Sequence, residues 1–593
     1  MTCQSGQNDI LPNARRPPFL QGGETAPGPA NDETDPVLDA AILERWRIEG
    51  RARITSHWSE LEELVAAVAT LIDRKRYAQA AVAAQVAANH AVLWHPGLFA
   101  HADLERLLRR LGEAALPFSG GAKRQDRKAG PMSVLHVATE LVEIGGHTRM
   151  VARWIRHDAG NVHSLALTRQ HMLVPERLRG PIGAGGGRIH RLNEKPGGLL
   201  SWARALQRLM AGADLVVLHV HSMDIVPFLA LAGLERPPPV TLVNHADHLF
   251  FVGVDFVDQV IHTRRSGLRL SADRRGVAPE RNVLLPLCLE PAARSRSRAE
   301  AKRELGLSPD CTVILTIARA LKFRPVDGRT FADTLVPVLR QNPGARFIAV
   351  GPGGKVDWSA AQALVPGQIE VIAETPDTGL YLEAADIYVD SFPFVSITSL
   401  FEAGLHGLPL VSHNPFGRQC AIMGADSPGL DATILRARSP DDFSAILGRL
   451  VRDPHFRRLK GEETRSEIEA VNMGENWRGA LLQTYEKVLS GRGPRNRIAE
   501  RRPRFDDIDL FIPFVYGPSG RGATAASRMV IDVELVMKAA PLRWRLYTLA
   551  QLARRGHLHL LHSPVWRLLV PEWLGTRIRD LLPRGEHERG HGR

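Results

Sequence analysis

Cysteine is scarce in this chain. Its four residues in 593, Cys3, Cys288, Cys311 and Cys420, are scattered without metal-ligand spacing, so neither a disulfide framework nor a zinc site is implied. Long hydrophobic runs are missing too: none reaches the ~18 residues that a membrane-spanning helix needs, because His219, His221 and Asp224 interrupt the best stretch. The N-terminus lacks a basic segment followed by an apolar core, so no secretory leader is expected and the expected location is cytoplasmic. Aromatic residues make up only 6% and form no stacking platform in a recognisable module, which argues against a nucleic-acid binder. What remains is ordinary: 44% apolar and 24% charged residues describe a globular protein that mostly folds. At 593 residues the chain is too long for one core and allows roughly three or four domains.

The net charge of +12 is uneven, since residues 495–593 hold 18 Lys+Arg against 10 Asp+Glu. Such a segment meets an anionic membrane surface or an acidic substrate, or is simply a solvated face. Residues 1–36, rich in Pro, Gly, Asn, Asp and Thr without periodicity, are expected to be a disordered leader. Residues 37–116 carry helical periodicity (Leu61, Leu64, Val65, Val68, Leu71; Leu104, Leu107, Leu108, Leu111) and are expected to form a helical cap. After a linker at 117–131, strands alternate with helices over 132–287 and again over 288–493, predicting two doubly wound Rossmann-like α/β domains. Residues 494–593 form a basic appendix of unassigned fold, amphipathic over Leu542–Arg555 and Val565–Leu582. It is expected either to contact an anionic membrane peripherally or to pack on the first domain.

The most informative stretch is Asp390–Ser412, DSFPFVSITSLFEAGLHGLPLVS. An apolar strand (Ile387, Tyr388, Val389) runs into a Pro-containing loop, and Ser396, Thr398 and Ser399 precede a helical pattern closed by Gly407 and Pro409. A helix start leaves N–H groups unpaired and carries partial positive charge, so hydroxyls there build a seat for a phosphate or diphosphate; the plainer alternative is an N-capped helix.

The pattern Asp390, Phe392, Pro393, Thr398, Ser399, Glu402, Gly407, Pro409 resembles the donor-binding motif of GT-B glycosyltransferases, particularly O-GlcNAc-transferase-like enzymes and their bacterial relatives. That resemblance, which spans about Val134 to Leu489, implies two Rossmann-like domains facing a cleft. It implies that Thr398 and Ser399 hold a nucleotide diphosphate and that Glu402 binds ribose. Retaining enzymes with two glutamates eight positions apart would need Glu at position 394, where this chain has Phe394.

Three further segments lie at the carboxyl ends of expected strands, where open α/β sheets bind ligands. Gly145 and Gly146, in Glu143-Ile144-Gly145-Gly146-His147, allow close backbone approach, or simply make a tight turn. They resemble the glycine loop that GT-B enzymes place near the donor diphosphate, with His147 touching donor or acceptor. Asn244-His245-Ala246-Asp247-His248 offers imidazoles and a carboxylate for general-base or hydrogen-bonding work. His245 resembles the histidine set beside the donor sugar, and Asp247 and His248 are candidate bases. Ala318-Arg319-Ala320-Leu321-Lys322-Phe323-Arg324-Pro325 supplies cations where negative charge develops on a departing diphosphate. Lys322 resembles the diphosphate-binding lysine of O-GlcNAc-transferase-like enzymes and Arg319 the arginine of other GT-B families. The implied activity is metal-independent and cofactor-free transfer from a nucleotide sugar to a glycan, lipid-linked or protein acceptor. The alternative is a non-catalytic nucleotide-sugar-binding or scaffold protein of a polysaccharide assembly system.

Overall fold

The computed structural model describes residues 40–119, 130–143, 145–326, 328–491, 498, 502–518 and 524–581. The expected leader, most of the linker and residues 492–494 lie outside the described residues.

Two parallel sheets form the centre. The first is built from β1 (Ser133–Ala138), β2 (Val162–Leu167), β3 (Ile189–Arg191), β4 (Leu215–His219), β5 (Val240–Asn244), β6 (Gln259–His262) and β7 (Asn282–Leu284), in the order β3-β2-β1-β4-β5-β6-β7. The second contains β8 (Thr312–Ile317), β9 (Ala345–Gly351), β10 (Ile369–Ala373), β11 (Ile387–Val389), β12 (Leu410–His413) and β13 (Leu435–Ala437), in the order β10-β9-β8-β11-β12-β13. The expected pair of Rossmann-like domains is therefore what the chain forms. Runs such as Leu215-Val216-Val217-Leu218 are apolar throughout because a parallel sheet is covered on both faces. β3, β6, β7 and β13 escaped the sequence reading because each is three or four residues long with polar members. His262 in β6, for example, is buried and bonded through Nε2 to Asn282 Oδ1 at 2.9 Å in β7.

In each sheet the strand order reverses beside the first strand, between β1 and β4 and between β8 and β11. Ligands bind in the crevice outside the carboxyl ends at such points.

The helical region is more than a cap on one domain. Helix Ala40–Asp73 is long enough to touch both: Ile42, Leu43, Trp46 and Ile54 join the second domain's core, whereas Leu61, Leu64, Val68 and Ile72 join the first's. The helix Gly474–Ser490 follows the second domain in sequence yet returns to the first, where Trp477, Leu481 and Tyr485 pack with Met150 and Trp154.

The appendix folds as helices Asp507–Val515, Ala525–Met537, Leu542–Arg554, Val565–Leu569 and Glu572–Leu581. Although the segment is basic, its buried acids dock it. Asp509 accepts from His95 Nε2 (3.1 Å) and Arg274 Nη2 (2.6 Å), and Asp532 accepts from His90 Nδ1 (2.8 Å) and Trp94 Nε1 (3.2 Å). Glu572 is buried against Arg169 Nη2 at 2.8 Å. Removing one partner from a buried charged pair costs about 3–5 kcal/mol, so these acids make the appendix integral to the fold. Among the described residues, no helix is long and apolar enough to cross a membrane.

Candidate functional site

The site is assembled from the carboxyl ends of the strands that flank the two reversal points. On the first domain, β1 leads through a loop to Gly145, whose φ of 151° and ψ of 146° favour glycine, and then to the helix Gly146–His157. A Cβ at Gly146 would lie 2.4 Å from Thr398 Cγ2 of the second domain. The two motifs thus meet across the cleft, and a side chain at 146 would press on that of Thr398. The same junction is crossed by an ion pair between Arg149 and Glu402, so the carboxylate expected to bind ribose already has a guanidinium partner.

His147 begins an imidazole cluster. Its ring stacks on His245 with centroids 4.0 Å apart and an interplanar angle of 12°, and it lies 6.3 Å from the His219 ring and 6.4 Å from that of His221. Its Nε2 is buried without a hydrogen-bond partner. Burial, reinforced by His245, holds His147 well below the ordinary histidine range, and burial with His221 pushes His245 down to about 4. Both rings are therefore neutral near pH 7. Behind them runs a buried chain: His219 Nε2 to His136 Nδ1 (3.0 Å), His136 Nε2 to His163 Nδ1 (2.9 Å), and His163 Nε2 to the Asp158 carbonyl (2.8 Å). The hydroxyl of Tyr485, on the returning helix, donates to Asp158 Oδ2 at 2.8 Å. The chain fixes ring orientations deep in the first domain.

Asp247 does not look out freely as a base. Burial would raise its pKa, but Arg264, whose Nη1 lies 3.3 Å from Oδ1, and then His248 hold it below the ordinary carboxylate value. Arg264 also reaches Asp426 Oδ1 at 2.8 Å in the second domain, so Asp247 belongs to an interdomain ion-pair network. His248 faces the second domain, with its ring 5.4 Å from that of Phe394.

On the second domain, Lys322 closes a short 3-10 turn after β8; its Nζ donates to the Val395 carbonyl at 2.8 Å and sits 4.6 Å from the centroid of Phe394. It is thereby held two residues before the helix Ile397–Leu405. Burial pushes the ammonium down to about 8, opposed by Asp390. Asp390 shapes the loop: its Oδ1 accepts from the backbone N–H groups of Ser391 (2.9 Å) and Ser396 (2.8 Å), while its Oδ2 is buried without a partner. Burial pushes this carboxyl up to about 7 against those bonds and the lysine. No side chain caps the helix that follows. Thr398 is exposed near its start, and Ser399 Oγ lies 3.0 Å from Ser396 Oγ. An uncapped nine-residue helix with two hydroxyls at its start and an ammonium beside it can hold an anion.

The structure thus gathers Gly145, Gly146, His147, His245, Asp247, His248, Lys322, Thr398, Ser399 and Glu402 around one interdomain crevice. Arg319 is set apart: its Nε pairs with Glu374 Oε1 at 2.8 Å and its side chain is 54% exposed.

Two groups went unread in the sequence. In the sequence His219 and His221 read only as interruptions of an apolar run, although polar residues at the carboxyl end of such a run are a usable signal. Tyr516 comes from the appendix; its ring lies 4.1 Å from His248 and 4.5 Å from Phe394, and its hydroxyl is buried without a partner. A lone tyrosine ending FIPFVY reads as core, so nothing marked it.

No family model matches the chain. A curated relative, the D-inositol 3-phosphate glycosyltransferase of Thermobifida fusca, is 23% identical over 290 residues, which cover 46% of this chain. The chain spans 63% of that relative's length. Among solved structures, HepE of Anabaena in complex with UDP and glucose is 14% identical with a TM-score of 0.45, covering 60% of this chain and all of the other. The O-GlcNAc transferase of Thermobaculum terrenum is 15% identical with a TM-score of 0.46, covering 75% of this chain and 84% of its own.

Proposed function

We propose that the protein is a glycosyltransferase that takes a nucleotide-diphosphate sugar as donor. The observation that carries this reading is the convergence of Lys322, the uncapped helix start at Ile397 and Gly146 on one spot across the cleft. A diphosphate seated there would meet an ammonium, helix-start N–H groups and the hydroxyls of Thr398 and Ser399. As the sugar–phosphate bond breaks, charge grows on the leaving phosphate, and a fixed cation stabilises that state more than the ground state. Lys322 supplies that charge without a metal, so activity should survive EDTA. Loss of turnover restored by manganese would overturn that part of the mechanism.

The sugar would then face the His147–His245 pair. Neutral, half-buried imidazoles suit hydrogen bonding to sugar hydroxyls, and the unpaired Nε2 of His147 suits one such bond. Asp247, tied to Arg264, serves to hold the domains together rather than as the base. The acceptor is a glycan, lipid-linked or protein hydroxyl group approaching from the first domain's side, and interdomain closure would exclude the water that competes with it.

The test is a thermal-shift screen of the full chain against nucleotide sugars, followed by measurement of nucleoside diphosphate release. A donor at 100 times its dissociation constant stabilises by about 2.7 kcal/mol. Absence of any such shift across the panel would overturn the reading.

A further inference from the structure

A second cavity, of about 330 Å³, lies away from the crevice between the first domain and the appendix; its lining includes Gly197, Gly198, Leu199, Pro541, Arg545 and Trp573. Two helices begin at its wall. The twelve-residue helix Leu199–Met210 follows Gly198, and the thirteen-residue helix Leu542–Arg554 follows Pro541; neither has a side-chain cap. Two uncapped starts direct partial positive charge and N–H groups toward one space.

Arg545 provides the independent sign of a ligand. It is 4% exposed, its Nη1 donates to the Leu569 carbonyl at 2.6 Å, and its Nε is buried with no hydrogen-bond partner. Among the described residues, no carboxylate lines the cavity to neutralise it. A buried guanidinium costs free energy unless an anion meets it, and a phosphate ester matches both its fork and the helix starts.

Beside the cavity, the helix Leu542–Arg554 turns Leu542 (52% exposed), Leu546 and Tyr547 to solvent, and Trp566 is 63% exposed on the following segment. Arg543, Arg554 and Arg567 are interspersed among these apolar groups. A surface that joins exposed Leu, Tyr and Trp to arginines fits the headgroup layer of an anionic membrane.

We propose that this cavity binds the phosphate of an anionic phospholipid headgroup, while Leu542, Leu546, Tyr547 and Trp566 enter the acyl boundary. The appendix then serves as a membrane-docking element with one built headgroup site, distinct from the donor crevice. The occupant is a lipid rather than a soluble phosphate because the phosphate-binding groups and the apolar stripe share one helix.

The test uses the full chain and sedimentation with phosphatidylcholine vesicles, with and without phosphatidylglycerol. Binding is expected only with the anionic lipid. Arg545→Gln should reduce the bound fraction about tenfold, the scale of one lost charge-assisted contact, while affinity for UDP stays unchanged. Because Arg545→Gln also deletes a bond to Leu569 and can fail to fold, the exposed pair Leu546→Ser with Tyr547→Ser provides the second arm. It should lose vesicle binding at an unchanged melting temperature. No binding to anionic vesicles, or binding that survives both variants, overturns the proposal. So does stabilisation by glycerol phosphate that depends on Arg545 without vesicle binding, since it would make the ligand a soluble ester.

Discussion

The two walls of the crevice are built on the same strand order and supply opposite chemistry. The first domain presents stacked, half-buried imidazoles with the buried His219 behind them, their pKa values pushed down by desolvation so that the rings are neutral. The second presents a helix start, hydroxyls and an ammonium, with a carboxyl pushed up to about 7 behind them. One wall offers hydrogen bonds to an uncharged group and the other offers charge to an anion. A nucleotide sugar, which has one end of each kind, would lie across the gap with its diphosphate on the second domain.

The largest effect is expected from removing the charge. Lys322→Ala should lower turnover by 10²–10³-fold, about 2.7–4 kcal/mol, as loss of a preorganised oxyanion donor does. Turnover within about threefold of the parent, far below that scale, would place the charge elsewhere.

The walls should also respond oppositely to pH. His245, at about 4 when folded and near 6.5 when free, keeps its full contribution above pH 6.5 and loses it as pH falls toward 4, a change of about 3 kcal/mol. Asp390 has the reverse sign: raised from 3.8 to about 7, it favours the folded state most at low pH, and that contribution is lost as pH rises to about 7. Asp390→Asn keeps an oxygen acceptor for Ser391 and Ser396, so at pH 7 it should melt higher than the parent, and the gap should close near pH 4. A gap that widens on acidification would contradict the assignment.

Thr398→Val with Ser399→Ala should weaken UDP binding by at least about tenfold, the value of one hydrogen bond to a charged group, and leave uridine binding unchanged. Equal losses in calorimetry would move the hydroxyls away from the phosphates. The smallest effect is expected at the junction of the walls. Tyr516→Phe preserves the packing on His248 and Phe394 but deletes the unpaired hydroxyl, and should cut turnover by less than tenfold with no fall in melting temperature, since no bond is broken. A clear loss of stability would show that the hydroxyl is structural.

Much of this arrangement was legible in the chain because parallel strands are continuous apolar runs, and site residues follow their carboxyl ends. That logic led to Gly145, His245, Lys322 and Thr398. It did not reach contacts made by distant segments. Nothing near Glu402 announces Arg149, nothing near Asp247 announces that Arg264 claims it, and Tyr516 arrives from a segment that a sequence reading leaves unplaced. The appendix was only half legible: its positive charge is plain in the chain, whereas nothing there marks the acids Asp509, Asp532 and Glu572 as the groups that dock it.

The seating of the diphosphate beside Lys322 is tested most directly by calorimetry of UDP and uridine with the parent chain and with Lys322→Ala. UDP is expected to bind far more tightly than uridine to the parent, and most of that difference should vanish in the variant while uridine affinity is retained. A difference between UDP and uridine that is the same in both proteins would contradict the account.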